Sequence, residues 1–465
     1  DTDWSKGTGW SIANDKASYD GSGTGYQYIL QSITTTSGKL YKINFDVLSS
    51  TGSNLNIVDF GSVRVNQTHL SAGNYTYYAE ADASSENLTI YANGTDTFSI
   101  DNVSVKQIDR DNVPRIDYTG GGCPHILAEP QRTNLVPYSE DFSQWSNTGV
   151  QVNINSTISP SGTENASTIT GSTTNSRHNV VVSTISGSVS ASFSVFAKAK
   201  ELRYLQIASA NSVNQYANFD LLSGTIGTIG GGFSNVKIES LDNDWYKISL
   251  VSNSQYNSIY LSLASSLTAS WLETYSMANN SDSLYLWGAQ VEVGSYATSY
   301  IPTSGSTVTR NQDVFTRDGI GSLINDSEGV LFVEIAALAD DETYRQISIS
   351  DGTATNRISL FFQNTSNQIA VESAGSGTNL GIYNQNLTIT NSNKIALKYK
   401  VNDCALWVNG VEVATDTSFA AFSANTLNKL SFDRGDGLQK FYGKVKQLQV
   451  YTRALTDDQL AALTT

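Results

Sequence analysis

The chain has 465 residues, with 28 Lys+Arg against 43 Asp+Glu and a formal net charge of −15. That balance, without any Lys/Arg cluster, excludes the electrostatic footprint of a nucleic-acid binder. Charged residues are 15% and hydrophobic ones 39%, which excludes a charge-driven disordered chain, and no apolar run reaches the roughly 18–20 residues of a membrane-spanning helix.

Residues 1–108 read as short strands. Tyr41, Ile43, Phe45 and Val47 alternate with Lys42, Asn44 and Asp46, the period of a half-buried strand. Leu88-Thr89-Ile90 and Phe98-Ser99-Ile100 follow. Turn clusters lie at Thr51-Gly52-Ser53-Asn54, Ser71-Ala72-Gly73-Asn74 and Ala92-Asn93-Gly94-Thr95. Strands at this spacing predict a sandwich or barrel. Residues 109–136 break the rhythm with Pro114, Gly120-Gly121-Gly122, Pro124 and Pro130, a connector composition that Arg110, Arg115 and Arg132 pin to neighbours. Residues 137–302 repeat the first pattern at larger scale. Val189, Ala191, Phe193, Val195 and Ala197 alternate with Ser190, Ser192, Ser194 and Phe196, matching the 41–47 strand. Residues 283–293 stand where residues 98–105 stood, so the two regions read as divergent copies of one sandwich.

Residues 303–465 differ. Residues 397–401, Asn402-Asp403 and residues 404–408 read as one hairpin, and Asn409-Gly410 starts another, because both turn positions need positive φ. The one helix expected anywhere starts at Thr456, where Gln459 three residues on completes a capping box ahead of Leu460, Ala461 and Leu463. Cys123 and Cys404 are the only cysteines, and two free thiols are favoured over a long-range disulfide. His69, His125 and His178 are the only histidines, and no pair has ligand spacing.

Trp10, the 40–47 strand and the closing Ser99-Ile100-Asp101-Asn102-Val103-Ser104-Val105 resemble the carbohydrate-binding jelly rolls found beside polysaccharide-degrading enzymes. Pro114-Arg115-Ile116-Asp117-Tyr118, the run Ala128-Glu129-Pro130-Gln131-Arg132-Thr133-Asn134-Leu135-Val136-Pro137-Tyr138-Ser139-Glu140-Asp141-Phe142, Tyr285-Leu286-Trp287-Gly288-Ala289-Gln290-Val291-Glu292, Ala297-Thr298-Ser299-Tyr300-Ile301-Pro302-Thr303 and Thr309-Arg310 resemble a module of tailed-bacteriophage virion proteins, in fibres and surface appendages. Leu406-Trp407-Val408-Asn409-Gly410 and residues 441–456 resemble a laminin-G or concanavalin-like sandwich. The fold expected is therefore all-β, two jelly-roll β-sandwiches followed by a concanavalin-like (laminin-G-like) one. The domains expected are 1–108 (jelly roll), 109–136 (connector), 137–302 (second jelly roll) and 303–465. The jelly-roll resemblance also implies a structural Ca²⁺ with Asp101 as metal ligand.

Concanavalin-like folds host glycosidases and lyases, but the Glu-x-Asp-x-x-Glu strand of retaining glycosidases is absent. Arg345-Gln346-Ile347-Ser348 has Ser where an alginate-lyase-like strand carries its proton-transferring His. Arg434-Gly435-Asp436 reads as a hairpin turn rather than an integrin motif. Sugar binding needs aromatic faces beside hydrogen-bonding groups. Trp271 and Tyr275, with Glu273, Asn279 and Asn280, interrupt the alternation, so Trp271 is either a ligand platform or a loop-packing anchor. Tyr26 and Tyr28 form a second candidate carbohydrate-binding pair.

The resulting expectation is a non-enzymatic phage virion surface protein, fibre or decoration, binding glycans on a bacterial host. Its partners would be a bacterial surface polysaccharide, other virion proteins and further copies of itself, a trimer included, and its location the virion surface or extracellular space. The alternatives are a polysaccharide depolymerase carrying carbohydrate-binding modules and a purely structural decoration protein.

Overall fold

The computed structural model describes residues 3–108, 115–118, 123–183, 189–210, 214–252, 258–375 and 385–465. The chain divides into two compact units, residues 1–109 with 132–310 and residues 110–131 with 311–465. All sheets are antiparallel and mostly paired along the alternating runs read above; among the described residues the only α-helix is Asp457–Thr464.

In the first unit, ten strands build the first sandwich: β1 Ser5–Lys6, β2 Trp10–Ala13, β3 Lys16–Tyr19, β4 Tyr26–Thr34, β5 Leu40–Ser50, β6 Asn56–Phe60, β7 Val63–Thr68, β8 Gly73–Glu80, β9 Ser85–Asn93 and β10 Phe98–Gln107. One sheet runs β1-β4-β9-β6-β7 and the other β2-β3-β10-β5-β8. Tyr41, Ile43, Phe45 and Val47 point into a core shared with Ile29, Val58, Phe60, Leu88, Ile90, Phe98 and Ile100. Burying side chains of this size contributes about 1.5–3 kcal/mol each before entropy is counted.

Three short strands follow, β11 Arg115–Asp117, β12 His125–Ala128 and β13 Arg132–Asn134. The second sandwich comprises β14 Ser146–Thr148, β15 Val150–Ile158, β16 Glu164–Gly171, β17 Asn179–Val182, β18 Ala191–Ala199, β19 Tyr204–Ser209, β20 Tyr216–Asp220, β21 Thr225–Ile229, β22 Phe233–Ser240, β23 Tyr246–Ser252, β24 Ile259–Leu263 and β25 Ser283–Val293. Its sheets run β14-β17-β24-β19-β20-β21 and β15-β16-β25-β18-β23-β22. Removing β21 and β22 leaves the strand order of the first sandwich, strand for strand. Even the bulge repeats: Asn102 in β10 and Gly288 in β25 both have positive φ, at 51° and 62°, where each strand's register slips against its neighbour. The divergent copies read from the sequence share one topology.

One expectation needs correcting. Ser192, Ser194 and Phe196 in β18 are buried along with Ala191, Phe193, Val195 and Ala197, so the strand is not half-exposed. The flanking segments cover its outer face. Phe196, Trp245 and Trp287 form a second apolar cluster there, and Tyr300 lies against Trp287 with ring centroids 4.7 Å apart. Ser192 Oγ donates to the Tyr296 carbonyl at 3.0 Å.

The residues resembling the phage module do the covering. β13 pairs with Val308–Arg310, so the chain entering the second sandwich is clasped to the chain leaving it. Asn134 is fully buried and uses its whole amide. Its Nδ2 donates to the carbonyls of Ala289 and Ile301 at 3.1 and 2.8 Å, and its Oδ1 accepts from the amides of Val136 and Val291 at 3.1 and 3.2 Å. Gln290 Oε1 accepts from Ile301 N–H at 2.6 Å, and Glu292 accepts from Thr298 N–H at 2.9 Å.

In the second unit, a seven-stranded sheet runs β11, β12, Gly443–Tyr451, Glu328–Ala337, Asn393–Lys400, Cys404–Val408 and Val411–Asp416. A six-stranded sheet runs Thr316–Arg317, Lys429–Ser431, Arg345–Ser350, Arg357–Phe362, Gln368–Ala374 and Gln385–Asn386. Of the expected connector, residues 109–114 and 119–122 lie outside the described residues. β11 and β12 are the edge of this sheet rather than a free link, because Arg115 is ion-paired to Glu129 at 2.5 Å and to the buried Asp313. Both hairpins read from the sequence form, with Asn409 and Gly410 at φ 47° and 84°. The helix carries the expected capping box, and Leu460 packs with Phe332 and Trp407. Cys404 is buried and Cys123 exposed, both free.

Replacing Asn134 by Ala leaves two buried N–H and two buried C=O groups without their partner. The change lowers stability by about 2–4 kcal/mol, read as a fall in the urea midpoint of the transition that reports the second sandwich.

Candidate functional site

Each sandwich sheet has an outward face, and that of β4-β9-β6-β7 carries exposed aromatic rings. Leu88, Ile90 and Ala92 of β9 point into the core, so period two turns Thr89, Tyr91 and Asn93 outward. By the same rule Ile29 sends Tyr26 and Tyr28 of β4 outward, Val58 and Phe60 send Ile57 and Asp59 of β6 outward, and Val65 sends Arg64 of β7 outward. Register aligns them across the sheet. Tyr28 lies opposite Tyr91 and Tyr91 opposite Ile57, while Thr89 lies opposite Asp59 and Asp59 opposite Arg64.

Tyr26 and Tyr28 are 42% and 38% exposed. Their rings meet Tyr91 edge-on, with centroids 6.4 and 6.5 Å apart, a spacing that fixes aromatic orientation. Beside them Arg64 Nε donates to Asp59 Oδ1 at 3.1 Å and Arg64 Nη2 to Asp59 Oδ2 at 3.4 Å. Arg64 Nη1 reaches Gln67 Oε1 at 3.4 Å. Aromatic faces, a carboxylate and a guanidinium thus share one solvent-facing surface. With strands roughly 4.8 Å apart, β4 to β7 spans about 14 Å. Tyr91, Asp59 and Arg64 did not figure among the sequence candidates. Their signal was the alternation itself, once the 88–90 strand is extended to Tyr91.

The second sandwich closes the corresponding face. There the link between β24 and β25 is residues 264–282, where the first sandwich has residues 94–97 between β9 and β10. Asn179, Ser262, Gln206 and Asn218 form a row across four strands, all 3% exposed or less. The long link lies over this row. Gln206 Oε1 accepts from Leu272 N–H at 2.7 Å and its Nε2 donates to the Ser270 carbonyl at 2.9 Å. Asn218 Nδ2 donates to the carbonyls of Leu267 and Ala269 at 3.2 and 2.8 Å.

Trp271 belongs to this strap. Its indole N–H donates to the Ser209 carbonyl at 3.1 Å, and the Arg177 guanidinium covers its ring at 5.0 Å. Tyr275 packs its ring against His178, centroids 5.0 Å apart. Glu273 accepts from Ser265 N–H at 2.7 Å, and Asn279 holds Asp282 at 3.0 Å. Asn280 Oδ1 accepts from Thr173 N–H at 3.2 Å, so each residue singled out in this loop has a local partner in the chain, and Trp271 is half-buried.

Asp101 sits at the β10 bulge, its Oδ1 accepting from Asn102 N–H at 2.6 Å. Opposite, Asp46 accepts from the side-chain amides of Asn102, at 2.7 Å, and Asn74. Calcium takes about six to eight oxygen ligands. Amide N–H groups face these carboxylates instead, and no cluster of three His, Cys, Asp or Glu suited to a metal occurs among the described residues. The residues do not fit the ion.

Glu140 has the raised carboxyl that marks some catalytic acids. Burial pushes it from 4.5 up to about 6, against the pull of donors from Tyr300 and Asn165, which reach it at 3.0 and 2.8 Å. These partners place it in the layer covering β18 and β25. In the second unit, the side chains of the Arg345–Ser350 strand are buried on both faces. Ser348 is buried against Ser431 at 3.2 Å, and Gln346 donates to Gln439 at 2.5 Å. Arg434 pairs with Asp436 at 2.5 Å inside a turn closed by Arg434 N–H to the Leu438 carbonyl.

Residues 333–461 match the family described as the concanavalin A-like lectin/glucanases superfamily. No curated protein matches the chain. Among solved structures the chain is similar to the CBM40 of Ruminococcus gnavus IT-sialidase bound to α2,3-sialyllactose, at 20% identity, covering 33% of this chain and 93% of that one, TM-score 0.27. It is similar to domain 4 of a GH43 extracellular arabinanase from Geobacillus stearothermophilus, at 16% identity over 34% and 73% of the chains, TM-score 0.27. Mouse laminin α1 domains LG4-5 align at 13% identity over 61% and 90%, TM-score 0.23. At these scores the solved structures carry no functional argument.

Two outcomes follow. Trp271→Ala lowers stability by about 1–3 kcal/mol, through lost packing and the lost hydrogen bond to the Ser209 carbonyl, and leaves glycan retention unchanged; thermal melts and an affinity gel check this together. Glu140 binds its proton more tightly folded than unfolded, so its contribution is full below about 4.5 and lost as pH rises through about 6. The melting-temperature advantage of wild type over Glu140→Gln therefore grows between pH 7 and pH 5.

Proposed function

We propose that this protein is a non-enzymatic surface protein of a bacteriophage virion, fibre or decoration, that binds glycans on a bacterial host. The observation that carries the glycan part is the open Tyr26, Tyr28 and Tyr91 cluster with Asp59 and Arg64 beside it. Sugar C–H faces stack on such rings while charged neighbours read hydroxyls. The phage part rests on the resemblance of the segments around Asn134 and Tyr300, and the concanavalin A-like match of residues 333–461 is in keeping with a chain assembled from lectin-type sandwiches. Fold alone does not fix function, so the open face has to bear the argument.

Binding at one shallow face is weak, and many copies on one particle raise avidity without new contacts. Further copies of the chain and other virion proteins are the partners this reading calls for, at the virion surface. The lyase reading gains no support from the second unit, where Gln346 and Ser348 are engaged with the chain's own residues.

The test uses the full chain on immobilised bacterial surface polysaccharides. Wild type is retained, Tyr28→Ala and Tyr91→Ala each weaken retention about threefold to tenfold, and melting temperatures move little for the exposed Tyr28. No new reducing or unsaturated ends appear on incubation. Release of such ends, or retention that ignores both substitutions, contradicts the proposal.

A further inference from the structure

The charges on the open face say what kind of glycan it takes. β4 has no charged residue at all. β9 has only Glu86, which is buried and turned to the amides of Asp82 and Ala83 at 3.1 and 3.0 Å. β6 has Asp59 and β7 has Arg64. The outward charges of these four strands are therefore one anion and one cation, and they are paired with each other through two hydrogen bonds, at 3.1 and 3.4 Å.

We infer that this face selects uncharged glycans and that the Asp59–Arg64 pair is its specificity-determining element. The inference rests on the glycan-binding reading above. A uronate or sialate carboxylate approaching Arg64 would have to displace Asp59 or sit beside it, and the repulsion between two carboxylates at one guanidinium opposes both. The protein's net charge of −15 adds a long-range field that repels polyanions. Neutral sugars meet neither obstacle. Neighbouring hydroxyls of a pyranose can donate to Asp59 and accept from Arg64 at the same time, while the ring lies on Tyr28 or Tyr91. The pair stays intact, so Arg64 acts as a fork held in place rather than as a free positive charge. Arg64 is half exposed, with a side-chain exposure of 50%, so sugar hydroxyls reach it without moving the fold.

The experiment measures binding of the full chain to two sets of polysaccharides at low and at physiological salt. The neutral set is glucan, mannan, galactan and arabinan; the anionic set is polygalacturonate, hyaluronate and polysialic acid. The expected result is binding within the neutral set only, insensitive to salt. Arg64→Ala and Asp59→Ala each weaken it about tenfold or more, as for loss of a charged hydrogen-bonding partner, and Arg64→Lys fails to restore it. Melting temperatures of the Arg64 variants stay near wild type, because the half-exposed guanidinium contributes little to stability. Binding to anionic glycans, lost in Arg64→Ala and strengthened in Asp59→Asn, would overturn the inference while leaving the platform in place. Neutral binding indifferent to both alanine substitutions would overturn the role of the pair. No binding in either set, with Tyr28→Ala equally silent, defeats the glycan-binding reading itself and this inference with it.

Discussion

Each sheet of a sandwich has a second face that its partner sheet does not cover. Packing the inner faces fixes the fold, because alternation then places every other side chain in the core. The outer faces are left to water, to a ligand, or to the chain itself. This protein uses the third solution repeatedly. The segments around Asn134 and Tyr300 cover β18 and β25, and the strap 264–282 covers the Asn179-to-Asn218 row.

Covering a sheet with irregular chain has a physical requirement. Outside the short β13 pairing, the covering backbone has no ladder of its own, so its N–H and C=O groups need side-chain partners. Asn134, Gln206, Asn218 and Gln290 meet that need, each an amide that can donate and accept together. They are almost wholly buried, which is why a chain so rich in polar residues still forms cores. On β4-β9-β6-β7 the outward Tyr26 and Tyr28 and the Arg64 side chain instead meet solvent.

The sandwiches were legible because period two is a local signal. So were the Asn409-Gly410 hairpin and the Thr456 helix, whose turn and cap chemistry resides in two to four adjacent residues. The covering of β18 was not legible, since Ser192 and Ser194 look like a solvent face until Tyr296 and Tyr300 are folded back over them. Trp271 misled for the same reason: breaking the alternation marks a loop, and says nothing about whether that loop stands free or lies on a sheet. Tyr26 and Tyr28 were visible, but their partners come from β6, β7 and β9, and only register joins residues so distant in the chain.

Besides the added β21 and β22, the two copies of the jelly-roll topology differ where the ninth matching strand hands over to the tenth. Residues 94–97 suffice in one copy and residues 264–282 are used in the other, yet the strand that follows keeps its bulge at the same place, at Asn102 and at Gly288. Register in that strand is set by its neighbours and not by the length of the link before it. In evolutionary terms, a single insertion or deletion there covers or uncovers one outer face of the sandwich without disturbing either layer.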